Sequence, residues 1–160
     1  MIYWMDTDAF VQSKNGPYQL ERVPQFWAFL SQQIEAGRIK SPKKVYDEVM
    51  TCQDDLSLWV KSRATGLCTN SNKQIQKCYG DILSYLLTER SQNQVYEFAR
   101  GADGWVIAHA FVGDDAVVSH ESERRKNAKI KIPWVCKQFN VKCINVYKML
   151  EELDFRAQII

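Results

Sequence analysis

Short apolar runs alternate with helical patterns along this chain of 160 residues, and that alternation limits the folds it can form. Runs of a few apolar residues are typical of strands, and they occur at 2–5, 38–40, 116–119 and 141–146. Between them, apolar residues recur at helical spacing in 24–36, 43–50, 55–63, 73–88, 95–100 and 103–113. We therefore predict an α/β fold with a central, mostly parallel sheet and helices on both faces. Ligands of such folds bind beyond the carboxyl ends of the strands.

Capping residues predict where several helices begin and end. Ser41 and Pro42 are typical of an N-cap followed by a first-turn proline, which would start the helix that carries Glu48. Gly66 is expected to stop the helix before it. Asp103 is expected to cap a third helix, and Gly113 to end it.

Composition places the chain among soluble globular proteins. It is 46% hydrophobic and 25% charged, and at this length one domain over residues 1–160 can bury a sizeable core. The formal charge is only +2, which excludes a chain whose whole surface binds nucleic acid. Any binding of anions must therefore be local.

The cysteines and apolar runs predict a cytoplasmic protein. Five cysteines make an odd number, and no pair has the two-residue gap of a zinc knuckle, so reduced thiols are expected. The N-terminus lacks the basic start of a signal peptide. No apolar run approaches the roughly 20 residues of a membrane span.

Acidic residues occur at several ends of the predicted elements. Asp6 follows the first strand, Glu48 lies on a helix, Asp103 begins another helix, and Glu121 follows the strand that ends at Ser119. Carboxylates that crowd together raise one another's pKa, and a hard divalent cation relieves the repulsion. We therefore predict Mg²⁺ or Mn²⁺ at this edge of the sheet.

Helical geometry selects Glu48 over its neighbour Asp47 as a site residue. Glu48 lies three residues after Val45 and so falls beside the buried stripe of its helix. Asp47 points roughly 160° away and is expected to be solvated.

Four segments resemble the motifs of the PIN-domain nucleases, and specifically a subfamily close to the toxins of prokaryotic toxin-antitoxin pairs. They are Tyr-Trp-Met-Asp-Thr-Asp-Ala-Phe at 3–10, the serine-to-glutamate segment 41–48, Ala-Asp-Gly-Trp-Val-Ile-Ala-His-Ala at 102–110, and Val-Val-Ser-His-Glu at 117–121. Asp8 stands where the family usually has Asn, and Glu121 where it usually has Asp. The resemblance implies one PIN-like domain over residues 1–160.

The resemblance also implies roles for these residues. The carboxylates that would hold Mg²⁺ or Mn²⁺ are Asp6, Glu48, Asp103 and Glu121, with Glu123 left open as an alternative to Glu121. Thr7 and Ser119 would orient them as part of the catalytic group. The implied function is metal-dependent endoribonuclease activity, with RNA as substrate and a cognate antitoxin protein as partner. A homodimer is compatible with this reading.

Basic residues near the predicted site are candidates for binding RNA phosphates. They are Arg124, Arg125, Lys126, Lys129 and Lys131 after Glu121, and Lys40, Lys43 and Lys44 before Glu48. A solvated loop is the alternative for the first group. The two histidines, His109 and His120, are weaker candidates for general bases.

Two other functions are open at this point. Met5-Asp6-Thr7-Asp8 and Gly113-Asp114-Asp115 resemble motifs of haloacid-dehalogenase-type phosphatases, in which Asp6 would be a covalent nucleophile. The second motif precedes a strand here, whereas that family places it after one. A PIN fold without activity, which only binds RNA or a partner, is the other alternative.

Overall fold

The computed structural model describes residues 1–121 and 129–156. Its strands are β1 (Tyr3–Met5), β2 (Ile39–Pro42), β3 (Cys68–Thr69), β4 (Ala116–Val118) and β5 (Lys142–Ile144). They form a sheet in the order β3-β2-β1-β4-β5, and each neighbouring pair is parallel. The predicted α/β class with a parallel sheet is confirmed.

Helices connect the strands within the described ranges. They are α1 (Thr7–Asn15), α2 (Pro24–Glu35), α3 (Lys43–Met50), α4 (Asp55–Lys61), α5 (Ala64–Leu67), α6 (Lys73–Glu89), α7 (Gln92–Arg100), α8 (Asp103–Gly113), α9 (Ile132–Gln138) and α10 (Val146–Glu152). None of these helices combines the length and the apolar character needed to cross a bilayer.

The core lies on both faces of β1, the central strand, and of its neighbour β4. Every residue of β1 and β4 is buried, which requires cover from both sides because successive side chains point to opposite faces. Helix α8 supplies part of that cover through Val106, Ile107 and Ala110, all fully buried. The apolar pattern that predicted α8 is therefore its packing surface.

Hydrogen bonds extend the sheet past its strand ends and align the next residues. The amide of Asp6 donates to the Val118 carbonyl at 3.1 Å, and the amide of Ser119 donates to the Ile144 carbonyl at 2.9 Å. The residues that follow β1 and β4 are therefore held side by side at one edge.

Ser41 and Pro42 differ from the prediction, because both belong to β2. The hydroxyl of Ser41 donates to the Met5 carbonyl at 2.7 Å and so joins β2 to β1 rather than capping a helix. Pro42 occupies the N-cap of α3, where no side chain supplies a capping bond.

Three other predicted helix boundaries were also wrong. Gly66 lies inside α5, where a Cβ would come 3.1 Å from Cγ2 of Ile34, so glycine permits a close approach instead of a stop. Ala102 is the N-cap of α8, and Asp103 is its first helical residue. Gly113 remains helical, while Asp114 takes the left-handed conformation at φ 53° that ends the helix.

Candidate active site

The four predicted metal carboxylates line one cavity beyond the carboxyl ends of β1 and β4. Its volume is about 420 Å³. The acidic members of its wall are Asp6, Asp8, Glu48, Glu97, Asp103 and Glu121, and the others are Thr7, Thr51, Phe98, Gly101, Lys129 and Ile130. We call this space the acidic cavity. Residues separated by more than a hundred positions meet there because the sheet places β1 beside β4.

Asp6 is the most deeply buried of these acids, with 3% of its surface exposed. Its Oδ1 accepts a 2.7 Å hydrogen bond from the amide of Ala9 and thereby caps α1. Burial raises the pKa of Asp6 well above its usual range, and the charge of Asp103 adds to the rise. Hydrogen bonds from Ala9 and from the Ser119 side chain act in the opposite direction. The fold therefore holds a carboxyl group where its charged form is disfavoured.

Glu48 reaches the cavity from α3. Val45 and Val49, on the same side of this helix, are buried against the core. The hydroxyl of Thr7 donates to Oε1 of Glu48 at 2.5 Å, so Thr7 fixes the carboxylate. Asp47 instead lies at the exposed surface, where both of its oxygens accept from Lys43 at 3.1 Å. The structure thus places the two acids as the helical geometry predicted.

Asp103 lies at the start of α8 and carries a strongly perturbed carboxyl group. Burial is the largest cause, and the negative charges of Glu121 and Glu48 add to it, raising the pKa of Asp103 to about 7. Lys129 partly offsets the rise. The carboxylates therefore interact electrostatically across the cavity.

Glu121 is fixed by the backbone on two sides. Its Oε2 accepts a 2.8 Å hydrogen bond from the amide of Ile132, and its own amide donates to Oγ of Ser119 at 3.1 Å. Ser119 therefore contacts both Asp6 and the backbone of Glu121. Glu123, the alternative fourth acid, lies outside the described residues.

The donor set fits a hard divalent cation by its chemistry. Every candidate ligand is an oxygen, and a cation would relieve the mutual repulsion that raises the pKa of Asp103. Within 1–121 and 129–156, no three His, Cys, Asp or Glu side chains converge closely enough to ligate one ion. Joint ligation of one ion therefore requires these side chains to move closer together.

The predicted basic residues divide among different places. Lys129 lines the acidic cavity, whereas Lys43 and Lys44 line a separate cavity near the start of α3. Their binding of RNA phosphates stays a prediction. Arg124, Arg125 and Lys126 lie outside the described residues.

Neither histidine lines the acidic cavity. His109 is buried against Trp4, with 4.6 Å between ring centroids, and burial lowers its pKa to about 4. His120 is half-buried beside Tyr147, 5.9 Å away between centroids.

Sequence reasoning missed Glu97, Thr51 and Gly101 in the cavity wall. Helix α7 ends directly before α8. Glu97 and Gly101 therefore lie close to Asp103, at the same cavity. Only the short spacing between the two predicted helices pointed to this.

The second phosphatase-like motif lies at the opposite end of the sheet. Asp115 accepts hydrogen bonds from the amide of Ile2, just before β1, at 2.9 Å and from Nε1 of Trp4, within β1, at 3.1 Å. Asp115 thus anchors the N-terminal end of the sheet. It does not join Asp6 in one site, and the geometry gives the phosphatase alternative no support.

A parallel α/β sheet with acidic residues around a cavity at its carboxyl edge is the arrangement expected for a PIN-like fold. The chain belongs to the family described as Domain of unknown function (DUF4411), whose model matches residues 3–157. None of the curated proteins compared with the chain matches it.

Three solved structures share this fold at low sequence identity. A chain of VapBC2 from Rickettsia felis, bound to a DNA fragment from its promoter, is 15% identical with a TM-score of 0.53, over 91% of this chain and 98% of that one. A chain of FitAB bound to an IR36 DNA fragment is 16% identical with a TM-score of 0.55, over 90% of this chain and 94% of that one. A chain of VapBC-1 from nontypeable Haemophilus influenzae is 15% identical with a TM-score of 0.53, over 89% of this chain and 96% of that one. The predicted PIN-like fold is confirmed.

Proposed function

We propose that this protein is a metal-dependent endoribonuclease that acts as a single PIN-like domain. The observation that carries the proposal is the group of four carboxylates around one cavity, with the pKa of Asp103 raised to about 7 by burial and by Glu121 and Glu48. Such a cluster destabilises the folded chain unless a ligand compensates for it, which is typical of functional sites.

The residues that would hold Mg²⁺ or Mn²⁺ are Asp6, Glu48, Asp103 and Glu121. When bound, such an ion lowers the pKa of a coordinated water and stabilises the charge that develops on a phosphodiester. Thr7 and Ser119 orient the carboxylates by the hydrogen bonds they make with Glu48 and Asp6.

Lys129 supplies a positive charge within the acidic cavity, where it can bind a phosphate of the RNA strand. Arg124, Arg125 and Lys126 precede it closely in sequence, and we propose the same role for them. Contacts of this kind hold the backbone without reading bases.

We further propose that the chain is the toxin of a toxin-antitoxin pair in the cytoplasm, with an antitoxin protein as partner. The support is its fold, shared with chains of the VapBC2, FitAB and VapBC-1 structures. A cavity in which six of the twelve lining residues are acids suits a basic side chain from such a partner. A homodimer is compatible with this assignment.

The test is cleavage of a fluorescent single-stranded RNA by purified protein. We expect cleavage with Mn²⁺ or Mg²⁺ and none with EDTA. Asp103→Asn should abolish cleavage and weaken Mn²⁺ binding in isothermal titration, while circular dichroism stays unchanged. The matched control is Asp81→Asn, which alters an exposed aspartate of α6 away from the cavity. Equal activity of Asp103→Asn and the wild type would overturn the proposal and favour a non-catalytic binder.

A further inference from the structure

A row of aromatic rings extends from the core toward the acidic cavity. Tyr18 stacks on the fully buried Phe26, with 4.1 Å between ring centroids, and Tyr147 lies 6.2 Å from Tyr18. His120 follows at 5.9 Å from Tyr147, with the two rings close to perpendicular. We call Tyr18, Tyr147 and His120 the aromatic row. Because Phe26 belongs to the core, the row is anchored at its inner end.

The outer end of the row adjoins the acidic cavity. Helix α10 starts two residues after β5 ends, so Tyr147, its second residue, lies at the carboxyl edge of the sheet. His120 directly precedes Glu121, which lines the cavity together with Asp8. Burial lowers the pKa of His120, and the nearby charge of Asp8 acts in the opposite direction. A ligand that extends from the cavity past Asp8 therefore meets the aromatic row.

Tyr147 presents an exposed ring that its neighbours already hold. Half of its surface, 51%, is exposed, while Tyr18 and His120 pack beside it. Ring contacts of this kind restrict the side chain, so little freedom is lost when a ligand covers it. Nucleobases stack on such rings, since every base has a π-face. The exposed part of Tyr147 is therefore suited to a base.

The charge beside the row favours a base over a phosphate. The carboxylate of Asp8 repels a phosphate group but can accept a hydrogen bond from the exocyclic amino group of a base. Tyrosine and histidine rings also carry polar atoms, which suit the polar edge of a base better than an aliphatic side chain. A bound strand would thus place a base, and not its backbone, against the row.

We propose that the aromatic row binds an unpaired base of the RNA strand, stacked on Tyr147, while the adjoining phosphate lies at the acidic cavity. The inference rests on the proposed function, because it takes the acidic cavity as the place of the phosphodiester. Bases in a duplex are already stacked on their neighbours. The row therefore selects single strands and the unpaired loops or ends of folded RNA.

The test compares two single strands of equal length that differ only in their bases. One is a short oligoadenylate, and the other is the same backbone with an abasic sugar at every position. Binding of each fluorescent strand is followed by anisotropy in EDTA, where the proposed function predicts no cleavage. We expect the wild type to bind the oligoadenylate at least fivefold more tightly, the lower end of what one stacked base contributes.

Variants of Tyr147 assign this preference to its ring. Tyr147→Ala should lower the affinity for the oligoadenylate at least fivefold and leave the affinity for the abasic strand within twofold of the wild type. Tyr147→Phe keeps the ring and should bind both strands as the wild type does. The matched control is Phe111→Ala, which should keep the full preference. Phe111 is 48% exposed, lies perpendicular to Phe139 at 6.3 Å, and lines a cavity with Asp115 at the opposite end of the sheet.

The outcomes separate this inference from the proposed function. Equal affinities of the wild type for the two strands, or no binding of either, would overturn the inference and leave the Tyr147 ring to a protein partner. Equal losses for both strands in Tyr147→Ala would also overturn it, because a structural defect weakens both. Cleavage of the oligoadenylate with Mn²⁺ is measured in parallel. Cleavage without a base preference refutes the stacking alone, whereas a preference that Tyr147→Ala removes, without cleavage, supports the stacking and refutes the nuclease.

Discussion

The hydroxyl of Thr7 donates a hydrogen bond to Oε1 of Glu48, a residue 41 positions further along the chain. The contact joins the first turn of α1, which follows β1, to the middle of α3, which follows β2. Glu48 therefore enters the cavity with its side chain already held.

The first prediction tests this contact through Thr7→Val, which keeps the shape of the side chain and removes the hydroxyl. We expect Mn²⁺ affinity and cleavage to fall by about 10- to 100-fold, the usual effect of losing a group that orients a metal ligand. Thr7→Ser keeps the donor and should restore most of the loss. If Thr7→Val and Thr7→Ser behave alike, the hydroxyl does not orient Glu48.

The second prediction compares two adjacent acids of α3. Glu48→Gln should lower Mn²⁺ affinity by more than about 10-fold, because it removes a charge from the acidic cavity. Asp47→Asn should leave Mn²⁺ affinity unchanged, since Asp47 is exposed and pairs with Lys43. Isothermal titration of both variants makes the comparison, and equal losses would refute the assignment of Glu48.

The third prediction concerns the pH dependence of stability without metal. The pKa of Asp103 is about 7 in the folded protein against 3.8 ordinarily, so the folded state binds more protons than the unfolded state between these values. Stability should therefore fall as pH rises through that window, with an upper slope of about 1.4 kcal/mol per pH unit before solvent screening. Above about pH 7 the loss is complete.

Urea unfolding in EDTA at several pH values between about 5 and 8 measures this effect. Asp103→Asn has no titrating group at this position, so it should become more stable than the wild type as pH increases. Saturating Mn²⁺ should restore wild-type stability at the alkaline end. Parallel pH profiles of the wild type and Asp103→Asn would show that the Asp103 carboxyl does not carry this penalty.

The fourth prediction uses two glycines. A Cβ at Gly104 would lie 2.8 Å from Cε2 of Tyr79 and 3.1 Å from Cε1 of Phe98, both ring atoms packed between helices. Gly104→Ala should therefore destabilise the fold by about 1–3 kcal/mol. Gly80 in α6 has nothing within 4 Å of such a Cβ, so Gly80→Ala should instead stabilise by about 0.5–1 kcal/mol. Thermal unfolding of the two variants should move in opposite directions.

The fifth prediction concerns Lys129. Lys129→Gln should flatten the slope of log RNA affinity against log salt by about 0.7, the contribution of one phosphate contact on a single strand. The measurement is RNA binding in EDTA at several salt concentrations. The control is Lys77→Gln, which changes an exposed lysine of α6. Replacing Arg124, Arg125 and Lys126 together by Ala should reduce the slope by about 2 units. An unchanged slope in either case would mean that those residues remain solvated.

The sequence predicted long amphipathic elements better than short ones. Helix α6 was found because its apolar residues repeat over many turns, and the order of strands and helices fixed a parallel sheet. Strand β3 has only two residues, too few to form a pattern, and α1 was missed because its exposed face is polar from Thr7 to Lys14. Neither element has an apolar pattern from which it could be predicted.

The acidic residues of the candidate site were predictable from their places at strand ends and on a helix face. Asp6 and Glu121 meet because β1 pairs with β4, and Glu48 was chosen over Asp47 by helical angle. The positions of Lys43 and Lys44 were not predictable from their closeness to Glu48 in sequence. Together with Asp47 they line one cavity, whereas Glu48 lines the other. The Nδ1 of His109 has no hydrogen-bond partner among the described residues, and this depends on packing that no sequence pattern reveals.

The central strand of the sheet is the first to leave the ribosome. The second edge of β1 stays unpaired until β4, which starts at Ala116, has been synthesised. The acidic cavity likewise lacks part of its wall until Glu121 has been synthesised. At roughly 5–20 residues per second, the 115 positions that separate Asp6 from Glu121 take about 6–23 s to synthesise. A nascent chain therefore has an incomplete acidic cavity during that interval, and a stalled fragment ending before Ala116 cannot complete it.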